Sequence, residues 1–118
     1  MTNSRDKGKK GELEIAHVLQ ERGYDARRGQ QYCGASGDAD VVGVPGLHIE
    51  VKRTERPQIY KYMDQAMNDA REGELPVIFH RQSKKKWLAI LDMGDFMELY
   101  DMAQAFCEDR GIAWETKF

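Results

Sequence analysis

In GDADVVGVPGLHIEVK, residues 37–52, two β-forming runs flank a Pro45-Gly46 turn pair. That composition predicts strands over 40–43 and 47–53, joined as a hairpin. Side chains alternate along a strand, so Glu50 and Lys52 project from one face while Ile49 and Val51 point into the core. A carboxylate and an ammonium flanked by buried aliphatics are costly on a sheet face unless they are paired or used. A three-residue loop over 44–46 sets Asp40 directly opposite Glu50, whereas a two-residue loop puts Val41 there. In the first register, two hard oxygen ligands lie side by side, with the backbone carbonyl of Val51 as a possible third. Two carboxylates, a carbonyl and waters suit Mg²⁺, with Mn²⁺ as the natural substitute. Lys52 would position or help deprotonate an attacking water, or neutralise charge building on a phosphate. The competing reading of Glu50 and Lys52 is a plain charge ladder on a solvated face.

Outward from the hairpin, the chain alternates helical and extended patterns. Leu13, Ile15, Ala16 and Leu19 mark an amphipathic helix over 6–22 that stops at Gly23. Glu12 borders the inward surface of this helix, either in an ion pair at the core edge or directed at the carboxylates. A short strand is expected over 24–28 and a polar, glycine-rich loop over 29–37. Ile59, Tyr62, Met63, Ala66, Met67 and Ala70 form a helical stripe ending near Gly73, with Met63 and Met67 assigned to the core. PVIFH (76–80) and WLAIL (87–91) read as strands around a basic turn, and Phe79 and Trp87 are expected in the core. A last, acidic helix over 95–109 is expected to bury Phe96, Leu99, Tyr100, Ala103 and Phe106 and to stop at Gly111. Helix, strands, helix, strands, helix is the order of a single α/β domain with a mixed central sheet flanked by helices.

The charge is distributed unevenly. The net charge is −2, but residues 1–91 carry +3 and residues 92–118 carry −5. The front section is therefore mildly basic, with clusters at Lys7-Lys9-Lys10, Arg27-Arg28, Lys52-Arg53-Arg56-Lys61 and Arg81-Lys84-Lys85-Lys86. Local patches suffice for phosphate contacts because screening limits each charge to about 8–10 Å. Each cluster reads equally as a solvated face. No stretch approaches the roughly 18 apolar residues of a membrane span. The charged N-terminus lacks the apolar run of a signal peptide, so a cytoplasmic protein is expected. Cys33 and Cys107 read as free thiols, and His17, His48 and His80 lack zinc-type spacing. His48 shares the face of Glu50 and Lys52 and is otherwise expected at the surface. Tyr32 either stacks on a base or packs on its own loop. Trp114 is expected to cap an exposed edge or a dimer contact.

These segments together resemble the archaeal-type Holliday junction resolvases of the PD-(D/E)xK, restriction-endonuclease-like superfamily. The resemblance rests on KGKKGELEIAHVLQERGYDARR, GASGDADVVG, HIEVKR, IYKYMDQA, PVIFHR and KKWLAIL, which span residues 7–91. It implies a restriction-endonuclease-like fold and a Mg²⁺-dependent endonuclease acting in DNA recombination or repair. Glu12, Asp40 and Glu50 would be the metal carboxylates and Lys52 the catalytic lysine. Ser36 would approach the scissile phosphate, and Gln65 would lie near the site. Arg27, Arg28, Arg53, Lys7 and Lys10 are the expected DNA contacts. Junction cleavage implies branched DNA and a homodimer. The chain has Ala39 where the family often carries proline, Asp38 competes with Asp40 as the ligand, and the acidic last helix has no family counterpart. A flap, nicking or virus-type repair nuclease shares the same chemistry, and a non-catalytic DNA-binding module would share only the fold.

Overall fold

The computed structural model describes residues 4–30 and 39–114. Five strands form one mixed sheet in sequential order: β1 (Arg27–Arg28), β2 (Val41–Val42), β3 (Leu47–Arg53), β4 (Leu75–Arg81) and β5 (Leu88–Ile90). Only β3 and β4 pair in parallel. A parallel pair requires a crossover, which is supplied by α2 (Ile59–Asp69). The fold is the expected α/β sheet flanked by helices.

Helix α1 (Ser4–Glu21) covers one face. Its Ile15, Ala16 and Leu19 pack with Val41, Ile49, Val51 and Val77 in the main core. Helix α2 covers the other face through Met63 and Ala66, which meet Ile78. Burial on both faces is why β3 is the most enclosed strand, with Ile49 fully buried. Glu14 ties α1 to the sheet by accepting hydrogen bonds from Arg81 (2.8 Å), Trp87 Nε1 (3.0 Å) and Arg53 (3.4 Å). Trp87 and Phe79 pack half-buried against the main core.

The hairpin takes the register of the three-residue loop, the first of the two that the sequence left open. Val41 pairs with Ile49, and one further step along the ladder sets Asp40 opposite Glu50. Gly43 (φ +100°) and Gly46 (φ +81°) bracket the turn in conformations that L side chains rarely adopt. Gly43 is doubly constrained, because a Cβ there would collide with the carbonyl oxygen of Asp25.

Three expectations are corrected. The strand over 24–28 shrinks to Arg27–Arg28. The backbone before it is committed to the end of α1, where Tyr24 N–H donates to Leu19 O (3.1 Å) and Ala26 O accepts from Gln20 Nε2 (2.7 Å). Met67 lies outside the core, 53% exposed, because the narrow contact of α2 with the sheet admits only Met63 and Ala66. The last helix, α3 (Met93–Arg110), forms but buries no residue. Its ends are set locally: Asp92 accepts from Asp95 N–H (3.1 Å) at the N-terminus, and Gly111 closes the C-terminus in the left-handed conformation. Both faces of the sheet are already covered by α1 and α2, so α3 runs outward from the edge strand and the molecule extends to 50 Å. Among the described residues, no helix is long and apolar enough to cross a membrane.

Candidate active site

Strand β3 presents His48, Glu50 and Lys52 on the face covered by α2, and β2 brings Asp40 beside them. Asp40 is held by a hydrogen bond from the backbone N–H of Val51 to Oδ2 (2.9 Å). Its carboxyl also shares a hydrogen bond with Glu50. Burial raises both groups above their ordinary values, since charge is disfavoured away from water. Both shifts have the same sign, so the pair holds a proton more readily than a lone carboxyl does. Burial, then the Glu50 charge and this hydrogen bond, push Asp40 up to about 7 against the Val51 N–H and Lys52. Two carboxylates that keep a proton near neutral pH form a place where positive charge is missing.

The surrounding groups divide into those that support the pair and those that add charge. His48 Nε2 lies 2.8 Å from Glu50 Oε1, and His48 Nδ1 lies 3.7 Å from Glu74 Oε1. His48 is buried (3% exposed), which corrects the expectation of a surface residue. Parallel pairing to β4 and the cover of α2 enclose its side of the strand. Asp69 on α2 adds negative charge that also raises Glu50. Lys52 Nζ stands 5.1 Å over the ring of Tyr62. The Tyr62 hydroxyl meets Thr54 Oγ1 (3.2 Å), and Thr54 is in turn held by His80 Nε2 through its hydroxyl (3.1 Å) and carbonyl (2.9 Å).

Glu12 forms the ion pair that was one of its two readings. It pairs with Arg28 Nε at 2.8 Å, and it is close enough to Asp40 and Lys52 for their charges to act on its carboxyl. Burial raises Glu12, and the Arg28 hydrogen bond opposes that rise. Among the described residues, no three His, Cys, Asp or Glu side chains form a ready metal cluster. The oxygen donors brought together are therefore Asp40 and Glu50, with Glu12 outside them on its arginine.

The remaining expected site residues are dispersed. Gln65 is exposed on α2. Lys10 on α1 and Arg27 on β1 are exposed, and Lys7 is half-buried. Arg53 faces α1 and is engaged by Glu14. Ser36 and Asp38, with Cys33 and Tyr32, lie outside the described residues. His48, Tyr62, Asp69 and Glu74 were not assigned to the site from the sequence. Strand alternation pointed to His48, while the other three are on or after a helix whose docking angle no local pattern encodes. A cleft of about 400 Å³ lined by Arg27, Val42, Asp69, Arg71 and Glu74 reaches this constellation at His48.

No curated protein and no solved structure matches the chain. A family model described as "Phage putative PDDEXK endonuclease" matches residues 3–113. The match includes the hairpin, both helices that cover the sheet and the carboxylate pair, and it points to a phage family where the motifs suggested an archaeal-type one. The chain belongs to this phage PD-(D/E)xK endonuclease family.

Proposed function

We propose that the protein is a Mg²⁺-dependent endonuclease that hydrolyses DNA phosphodiester bonds and selects branched or otherwise structured DNA. The observation that carries this reading is the Asp40–Glu50 pair, a half-buried and a buried carboxyl hydrogen-bonded to each other beside Lys52. Hard carboxylate oxygens in a space that lacks positive charge fit Mg²⁺, or Mn²⁺ in its place, with the carbonyl of Val51 as a further donor. When bound, the cation supplies positive charge at the scissile phosphate and makes a water more acidic. Asp40 and Glu50 would hold that cation, which requires both carboxyls to be ionised. His48 fixes the orientation of Glu50, and Tyr62 keeps the Lys52 ammonium over the site. Lys52 neutralises charge developing on the phosphate or assists deprotonation of the attacking water. Glu12, held by Arg28, supports the pair from α1. Arg27, Lys7 and Lys10 are candidates for contacts with the DNA backbone, and Ser36 for an approach to the scissile phosphate.

Resolution of a four-way junction requires two symmetric cuts and hence a homodimer. The phage family match favours a second reading of the substrate, a virus-type repair nuclease acting on other structures with the same residues. The test is cleavage of labelled four-way junction, flap, single-stranded and duplex DNA with Mg²⁺, Mn²⁺ or EDTA, beside Glu50→Gln. Paired symmetric cuts confined to the junction, lost with EDTA and in the variant, are expected of a resolvase. Metal-dependent cleavage of the other substrates keeps the nuclease and replaces its substrate. DNA binding without metal-dependent cleavage of any substrate would overturn the enzyme in favour of a binding module.

A further inference from the structure

Helix α3 carries a broad apolar surface that its own chain covers only in part, with Trp114 stacked on Tyr100 and Arg110 over Phe106. Met93, Phe96, Met97, Leu99, Tyr100 and Phe106 are between 40% and 78% exposed. At 3.6 residues per turn these side chains cover about half the circumference of the helix. A surface helix ordinarily turns such a stripe inward, and a contiguous exposed apolar patch marks an interaction site. The rest of the helix is acidic: Asp95, Glu98, Asp101, Glu108 and Asp109, with Arg110 as its one cation. Asp101 and Glu108 border one side of the apolar surface and Asp95 the other.

The complementary surface is on the same chain. Beside the edge strand β5, Pro57, Ile59, Leu88 and Ile90 line an open groove of about 420 Å³. Leu88 is 60% and Ile59 40% exposed. Lys85 and Lys86 rim this groove and are exposed, while Arg81 beside them is engaged by Glu14. An apolar floor with a basic rim therefore matches an apolar helix with acidic borders.

We propose that α3 docks into the β5 groove of a second copy of this chain, and that the exchange is reciprocal. A two-fold arrangement fills both grooves with both helices and leaves neither complementary surface open, which is the closure expected of an isologous dimer. The charge match selects this occupant over a pairing of two α3 helices, which would bring acidic borders together. The proposal specifies the two-copy part of the proposed function and is independent of the metal chemistry.

Light scattering over a dilution series tests it, beside circular dichroism and the metal-dependent cleavage assay. The wild type is expected to be a dimer, and Phe96→Glu with Tyr100→Glu a folded monomer, because α3 buries nothing in its own chain. Lys85→Glu with Lys86→Glu is expected to raise the dimer dissociation constant at least tenfold. Asp101→Lys with Glu108→Lys is expected to do the same, and the four changes together to restore dimerisation. A monomeric wild type overturns the proposal. So does a dimer broken by the α3 changes but indifferent to the Lys85 and Lys86 reversal, which would mean helix-to-helix pairing. Cleavage by a wild type that is monomeric would remove the exchange and leave the nuclease reading standing.

Discussion

Nε2 of His48 lies 2.8 Å from Oε1 of Glu50, and the two side chains are only 4% and 7% exposed. An ionised Glu50 can only accept, so Nε2 carries the proton and donates it. A carboxylate placed this deep needs such a donor, because an unpartnered buried charge is expensive. Removing the imidazole in His48→Ala is expected to cost about 1–3 kcal/mol of stability. Loss of an outer-shell partner is expected to weaken divalent metal binding by about 10–100-fold. Urea unfolding and a Mn²⁺ titration measure the two effects, and wild-type values in both would make the contact incidental.

The raised Asp40 carboxyl predicts an unusual pH dependence for the metal-free protein. The ordinary aspartate value is 3.8 and the folded value is about 7, so between them the folded state binds more protons than the unfolded chain. Stability therefore falls as pH rises through this window, the reverse of what a salt-bridged aspartate would give. Thermal unfolding without metal is expected to show a lower Tm at pH 8 than at pH 5, and Asp40→Asn to flatten that slope. An identical slope in the variant would assign the effect to other groups.

Metal should reverse the trend. In the proposed site, binding would require both carboxylates ionised, so it would compete with the proton held by the pair and tighten as pH rises through about 7. Mn²⁺ affinity measured calorimetrically at pH 6 and pH 8 is expected to be higher at pH 8, with proton release near the lower pH. Affinity that is flat with pH would place the cation elsewhere.

Loss of either carboxylate should remove cleavage while preserving the fold. Asp40→Asn and Glu50→Gln each remove a carboxylate charge from the proposed metal site, and losing several kcal/mol of charge stabilisation corresponds to a rate about 10³-fold lower. Glu12→Gln should be milder, since Glu12 stands outside the pair on Arg28. Single-turnover cleavage orders the three variants; equal losses in all of them would make Glu12 a ligand of the same rank.

Tyr62 separates two contributions to the placement of Lys52. Tyr62→Phe keeps the ring beneath Nζ and loses the bond to Thr54, whereas Tyr62→Leu loses the ring as well. A cation–π contact contributes about 0.5–2 kcal/mol, so Tyr62→Leu should cleave several-fold more slowly than Tyr62→Phe. Indistinguishable rates would show that Lys52 is positioned by something other than the ring.

How much of this was legible in the chain depended on whether the information was local. Strand alternation put Glu50 and Lys52 on one face, but whether Asp40 or Val41 lay opposite Glu50 was left to the loop length. The fold decides it by pairing Val41 with Ile49, since a one-residue slip would turn Val41 out of the core. The same local rules placed β3, the start and stop of α3 and the face of Lys52. They did not reveal that Glu12 arrives on Arg28, that His48 is closed in by β4 and α2, or that Tyr62 lies under Lys52. Each of those contacts joins residues from different elements, and their meeting depends on how the helices dock on the sheet. Helix α3 marks the limit most clearly: its periodicity specified a helix with an apolar face, but periodicity carries no term for whether a partner surface remains. With both faces of the sheet already occupied by α1 and α2, that face was left open, and only the assembled fold could decide it.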